Sequence, residues 1–288
     1  MTAASVTAFC PGHISGYFRR IDGTTPSTTG SIGAGIVISE GVTATVKPAA
    51  RSSVLVRGRS AEGTLHEISR ESAPLTYALD RLGVTVAVET TCRLPISAGF
   101  GLSAAALLST LSAADRLLDL GLGADGIAER AHETEVLFRT GLGDVAACQG
   151  GGRVVRTGPG IHGTILRSFD IDTPVCAISF GPIRTPEVLG SPARMAQVAA
   201  AFPGRQPETV GEFFSCCREF SAASGLETVS VRKVLEACDR RGVPAAMTML
   251  GDGVFACGEH AGTVLRPFGE VYTMGMAGTG VHIVEESA

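Results

Sequence analysis

The segment Pro95-Ile96-Ser97-Ala98-Gly99-Phe100-Gly101-Leu102-Ser103-Ala104-Ala105-Ala106 carries the clearest chemistry in this chain. A stretch of strand character ends near Arg93, passes two glycines and runs straight into a helix of small residues. The first amides of a helix lack intrahelical partners and carry partial positive charge; glycines admit a close backbone approach, and small side chains leave space for oxygens. The pattern predicts a phosphate site built from Pro95, Ala98, Gly99, Gly101, Leu102, Ser103 and Ala104. Ser103, in the first helical turn, can cap the helix or reach a cation that bridges phosphates. No lysine assists, because the only two, Lys47 and Lys233, are followed by Pro48 and Val234. A Walker A loop needs Gly-Lys-Ser/Thr and a protein kinase needs a Val-Ala-Ile-Lys strand with a His-Arg-Asp loop, so both are excluded.

The elements that must position this loop are a strand-rich first third and two helices. Val6 to Phe9, Ile36 to Val46, Ser53 to Arg57 and Val84 to Glu89 read as strands, and Leu102 to Leu120 and Ala124 to Arg139 as helices closed by Gly121 and Gly141. Strands are expected at Arg153 to Thr157, Thr164 to Phe169 and Val175 to Phe180. Helices follow near Glu187 to Ala201, Glu208 to Ala223 and Glu227 to Arg241, then strands around Ala245 to Met249, Val254 to Cys257 and Gly280 to Val284. Strands first, then helices, then a mixed group imply an α+β protein of two lobes. The turn cluster Thr157-Gly158-Pro159-Gly160 suggests a division into residues 1–160 and 161–288.

Composition narrows the function classes. The chain has 288 residues, 44% apolar and 18% charged, as in a soluble globular protein. A net charge of −4 and 5% aromatic residues give no basis for nucleic acid as a partner. The longest apolar-rich run, Gly99 to Ala114, is interrupted by hydroxyls and too short to span a bilayer, so no membrane association is expected. Eight cysteines without a Cys-x-x-Cys pair, and no basic residue before Arg19 to start a signal peptide, indicate reduced thiols in the cytoplasm. The six histidines form no His-x-x-x-His pair, which argues against structural zinc.

Pro-x-x-x-Gly-x-Gly-x-Ser-Ala-Ala resembles the second signature motif of the GHMP kinases, the superfamily of galactokinase, homoserine kinase and mevalonate kinase. The resemblance implies a two-lobed fold with a ribosomal protein S5 domain 2-like N-terminal lobe and a ferredoxin-like C-terminal lobe. It also implies ATP, its phosphates wrapped by the loop, and Mg²⁺ bound by the serine at the position of Ser103; Leu102 replaces the family's preceding serine. Thr140-Gly141-Leu142-Gly143-Asp144, ahead of Gly150-Gly151-Gly152, matches the family segment that makes Asp144 the catalytic carboxylate.

A glutamate from the preceding helix is the family's other magnesium ligand, and Glu133 and Glu135 both qualify. At about 100° per residue, Ile127, Ala131, Thr134 and Phe138 form the core stripe; Glu135 falls about 80° from Ile127, on the stripe's border, and Glu133 about 240°, opposite. Glu135 is therefore the expected ligand, with His132 and Arg139 on its flank and His132 directed at the substrate.

The third family motif matches Thr248-Met249-Leu250-Gly251-Asp252-Gly253, with Gly275-Met276-Ala277-Gly278-Thr279-Gly280 a competing stretch. Cys10-Pro11-Gly12-His13 and the glycine-rich turn Gly30-Ser31-Ile32-Gly33-Ala34-Gly35 are similar to the archaeal pantoate kinase family. That implies a small branched hydroxy acid as substrate. Arginine suits a planar carboxylate, and Arg156, 12 residues beyond Asp144, is the candidate, with Ser31, His132 and His13 as further substrate contacts. Arg153, three positions earlier, belongs on the opposite face of the same strand. A homodimer is a family-level expectation.

Overall fold

The computed structural model describes residues 4–182 and 190–287. Its frame is one long antiparallel hairpin, β1 (Ser5–Ile21) and β2 (Gly30–Pro48), paired from Val6 with Val46 to Ile21 with Gly30. The register slips between Pro11 and Gly12 and again between Ser15 and Tyr17. Bulges of this kind bend a strand and sharpen its twist. They need glycine: a Cβ on Gly41 would collide with the Cys10 carbonyl, and one on Gly33 with the carbonyl of Tyr17.

This corrects the sequence reading, in which the first strand stopped at Phe9 and Gly30–Gly35 formed a turn. Ser31 lies inside β2, opposite Arg20, and Cys10 to Phe18 are strand residues. Glycine and proline signal a break locally, but here they serve a bend within continuous pairing.

The rest of the first sheet is β3 (Ser53–Arg59), β4 (Leu65–Ser69), β5 (Val86–Cys92), β6 (Arg153–Arg156), β7 (Ile165–Ser168) and β12 (His282–Ser287). The order is β12-β1-β2-β5-β3-β4, with β6 added to β2 and β7 to β6; among the described residues only β3 and β5 pair in parallel. The final strand thus completes the sheet begun by the first. Helix α1 (Ala73–Leu82) links β4 to β5, while α2 (Leu102–Leu118) and α3 (Gly123–Phe138) follow β5. α2 packs on β1 and β2, and its Ala104, Ala105, Leu108 and Leu111 are all buried. A five-residue helix, α4 (Asp144–Cys148), leads toward β6. Neither α1 nor α4 is anticipated by the sequence reading, since each is too short for a helical period to register.

The second sheet is antiparallel, in the order β11-β8-β10-β9: β8 (Val175–Pro182), β9 (Ala245–Met247), β10 (Gly251–Cys257) and β11 (Tyr272–Met274). It is accompanied by α5 (Pro192–Ala200), α6 (Val210–Ser224), α7 (Val229–Asp239) and α8 (Ala261–Leu265). The helix expected from Glu187 begins at Pro192; residues 187–189 lie outside those described. Phe213, Phe214, Phe220 and Phe255 are buried in ring contacts that include Phe213 and Phe214 against Phe255. The architecture is α+β with two sheets, as the element order implied.

Candidate active site

The loop before α2 faces a cavity of about 840 Å³. Gly101, with φ +62°, serves as the N-cap and α2 has no side-chain cap, so the leading amides of Leu102, Ser103 and Ala104 have no capping side chain. Gly99 adopts φ +85°, and a Cβ there would sit 2.9 Å from the Met249 carbonyl. Gly251 is pressed harder still, against the Ala98 carbonyl, with which a Cβ would collide. The loop is thus braced from below by the Thr248–Gly253 turn, itself tied to β1 by the Met249 amide donating to the Ser15 carbonyl at 3.1 Å. The competing stretch Gly275–Gly280 lies instead against Gly151 and Gln149.

Ser103, Glu135, Thr140, Gly141, Gly143 and Asp144 line the cavity beside the loop. Glu135 is 2% exposed, and its Oε1 accepts from the Thr140 hydroxyl at 2.6 Å. Burial and the nearby Asp144 charge push its carboxyl up to about 7, against the opposing effect of the Ser103 and Thr140 hydroxyls. Glu133 is half-buried and does not line the cavity.

Asp144 opens α4 and retains 20% side-chain exposure. Burial alone would raise its carboxyl, but the hydrogen bond from His13 and the charge of Arg156 hold it below the usual range. Burial lowers His13, which is 0% exposed, so its imidazole is neutral near pH 7. Its tautomer follows from the neighbours. Nδ1–H donates to Asp144 Oδ1 at 2.7 Å, leaving Nε2 to accept from Arg156 Nη1 at 3.5 Å.

The cavity places some expected groups at its wall and others behind it. Ser31 lines it, whereas His13, His132 and Arg156 do not. Arg156 is 2% exposed and its Nε has no partner. A Cβ on Gly143 would lie 2.6 Å from that Nε and 2.6 Å from Ser31 Oγ, so only a residue without a side chain lets the guanidinium approach the wall. His132 Nε2–H donates to the Thr29 carbonyl at 2.7 Å, just ahead of Ser31, and its buried Nδ1 is unpartnered. Arg153 points away, clasping Asp170 at 2.6 Å and the carbonyls of Pro207 and Glu208. Thr140 opened the segment that leads to Asp144 but was given no role in the sequence; a hydroxyl five residues beyond Glu135 is a usable signal. The apolar end of the cavity, with Val42, Val56, Ile68, Leu75 and Ile96, had none, because its residues come from five separate segments.

The profile of the GHMP kinases N terminal domain matches residues 65–152. Pantoate kinase of Methanospirillum hungatei is 46% identical over 274 residues, covering 95% of this chain and 94% of that protein. The chain belongs to the GHMP kinases. Pantoate kinase of Thermococcus kodakarensis is 31% identical over 271 residues, covering 87% of each chain. A solved structure described as a phosphotransferase related to the CoA biosynthesis pathway superimposes with a TM-score of 0.82 at 24% identity, covering 97% of this chain and 98% of that one. As a GHMP kinase the protein uses ATP to phosphorylate a hydroxyl group. No helix among the described residues is long and apolar enough to cross a membrane.

This GHMP kinase should show a pH signature without ligand. Glu135 holds its proton more tightly folded, with a value of about 7, than unfolded, where a glutamate titrates near 4.5. Its contribution to stability is therefore present at low pH and lost as pH rises through about 7. His13 titrates with the opposite slope, so the informative comparison is with Glu135→Gln. The stability of wild type relative to Glu135→Gln should fall by on the order of 2 to 3 kcal/mol from about pH 4.5 to about pH 8. Parallel denaturation curves across that range would contradict the burial of an unpaired carboxyl.

Proposed function

We propose that this chain is a pantoate kinase of coenzyme A biosynthesis, transferring the γ-phosphoryl group of ATP to the primary hydroxyl of pantoate to give 4-phosphopantoate in the cytoplasm. The observation that carries the reading is the near-full-length 46% identity to the Methanospirillum hungatei enzyme, together with one cavity that joins an uncapped helix start to a pair of carboxylates. Eight buried free thiols support a reducing compartment.

The phosphates lie over the amides of Leu102, Ser103 and Ala104, and the base occupies the apolar end between Val56, Ile68 and Leu75. Among the described residues no cluster of three His, Cys, Asp or Glu could hold a metal ion. The donors beside the loop are nonetheless hard oxygens, and a buried Glu135 carboxyl raised to about 7 lacks a cationic partner. That set fits Mg²⁺, which takes one or two protein oxygens and completes its shell with phosphate and water. Ser103 and Glu135 would hold it, and it would neutralise charge on the phosphoryl oxygens.

Asp144 accepts the proton of the attacking hydroxyl as its oxygen bonds to γ-phosphorus and the bond to ADP breaks. The charge of Arg156 behind Gly143, with the Ser31 hydroxyl at the wall, fits the acceptor's carboxylate. His13 and His132 act from behind, on Asp144 and on the chain leading to Ser31. A loose transition state asks mainly for positioning and charge neutralisation, which these groups provide.

The test is a panel of pantoate, homoserine, mevalonate and galactose with purified protein, ATP and Mg²⁺, read as ADP release and as a new phosphate ester by ³¹P NMR. Pantoate should exceed every other acceptor in kcat/KM by at least about 100-fold. Turnover of another acceptor with none on pantoate overturns the assignment.

A further inference from the structure

The short helix that carries Asp144 is held from behind by groups with no part in the chemistry above. α4 has only five residues; at its ends Ala147 donates to the carbonyl of Gly143, which precedes the helix, at 3.1 Å, and Gly150, just past its end, donates to the Ala147 carbonyl at 3.3 Å. So short a helix cannot fix its own direction, and its last carbonyls must find partners elsewhere.

They find them in two places. Arg167 on β7 donates from Nη1 to the carbonyls of Ala147 at 3.0 Å and Gly151 at 2.8 Å, and from Nη2 to the carbonyl of Ala146 at 3.1 Å. One rigid fork thereby spans three acceptors, a task for which a lysine's point charge is unsuited. A Cβ on Gly150 would meet the guanidinium at 2.9 Å, so the group lies flat on the chain. The second partner is the strap Gly275–Gly280 and the residue after it. Val281 donates to the Cys148 carbonyl at 3.3 Å, and Gly152 donates to Ala277 at 2.9 Å. A Cβ on Gly280 would collide with the backbone of Gln149, and one on Gly151 with the Ala277 carbonyl. The strap is pinned in turn to β2, where Ala277 donates to Val37 at 2.8 Å.

We propose that Arg167 and the Gly275–Gly280 strap are positioning elements for Asp144, setting the course of α4 from its C-terminal end while His13 fixes the carboxylate at the other. Neither lines the cavity. The proposal rests on the reading of Asp144 as the proton acceptor, and it gives the second glycine stretch a task distinct from the phosphate loop. A displacement of about 1 Å at a reacting group can cost on the order of 100-fold in rate, so loosening the far end of α4 should appear in kcat.

Three variants test this: Arg167→Ala, Arg167→Lys and Gly280→Ala. Hydrogen exchange should rise in peptides spanning residues 144–152 in Arg167→Ala and Gly280→Ala, with the start of α2 unchanged. With pantoate and ATP, kcat should fall about 10- to 100-fold while KM for both substrates stays within about threefold. Added guanidinium ion should restore part of the rate to Arg167→Ala and none to Gly280→Ala, and Arg167→Lys should remain impaired. Folded variants with wild-type kcat, or with unchanged exchange over residues 144–152, overturn the clamp. So does a rate loss matched by an equal loss of nucleotide affinity, which would mark a general structural defect. A wild type inactive on pantoate would sink the proposed function instead, and the exchange data would still judge the clamp.

Discussion

Asp144→Asn should lower kcat by about 100-fold or more, with the nucleotide dissociation constant changed by less than about threefold. The substitution is nearly isosteric, and an amide oxygen can still accept the 2.7 Å hydrogen bond from His13 Nδ1. The negative charge that Arg156 stabilises is lost, and with it the capacity to take up a proton. Steady-state kinetics with pantoate, paired with calorimetric nucleotide titration, separates the two quantities. Near-normal turnover would remove Asp144 from the mechanism. A large loss of nucleotide affinity would place it on the phosphates rather than on the acceptor.

The second large effect belongs to Glu135. Glu135→Gln should reduce kcat/KM for Mg-ATP by about 100-fold, and Glu133→Gln should stay within about twofold. The geometry explains the difference: Glu135 is 2% exposed at the cavity wall, whereas Glu133, two residues earlier, does not reach the wall. Glutamine can accept from the Thr140 hydroxyl as Glu135 does, so local structure is kept and only the charge is removed. Because Glu135 must lose a proton to bind a cation, apparent Mg²⁺ affinity in the wild type should climb as pH rises through about 7 and level off above it. The reverse ranking of the two variants would move the cation site to the other face of α3.

The glycine loop ahead of α2 was legible because its geometry is local. Glycines at 99 and 101 followed by small residues are the whole requirement for a close approach to uncapped amides, and all lie within one turn of chain. Glu135 was likewise legible, since helical period alone separates it from Glu133. The long hairpin was not. Pro11, Gly12 and the glycines of β2 read as breaks, and only the bulges they permit reveal an unbroken strand. His132 shows a different obstacle: it shares a flank with Glu135, yet its nitrogen is taken by a carbonyl 103 residues away.

By itself, then, the sequence determined the glycine loop ahead of the uncapped helix α2, the placing of Glu135 rather than Glu133 toward the cavity, the α+β class and the absence of a Walker A lysine. Each of these depends on residues within a few turns of one another, where spacing is geometry. Tertiary structure alone decided that His13 faces Asp144 from 131 residues away, that Arg156 stands behind Gly143, and that Arg167 and the last glycine strap grip α4. Those contacts arise where a bent hairpin and a returning C-terminal segment close over one short helix. Their partners are set by curvature and packing of separate segments, quantities that no local spacing encodes.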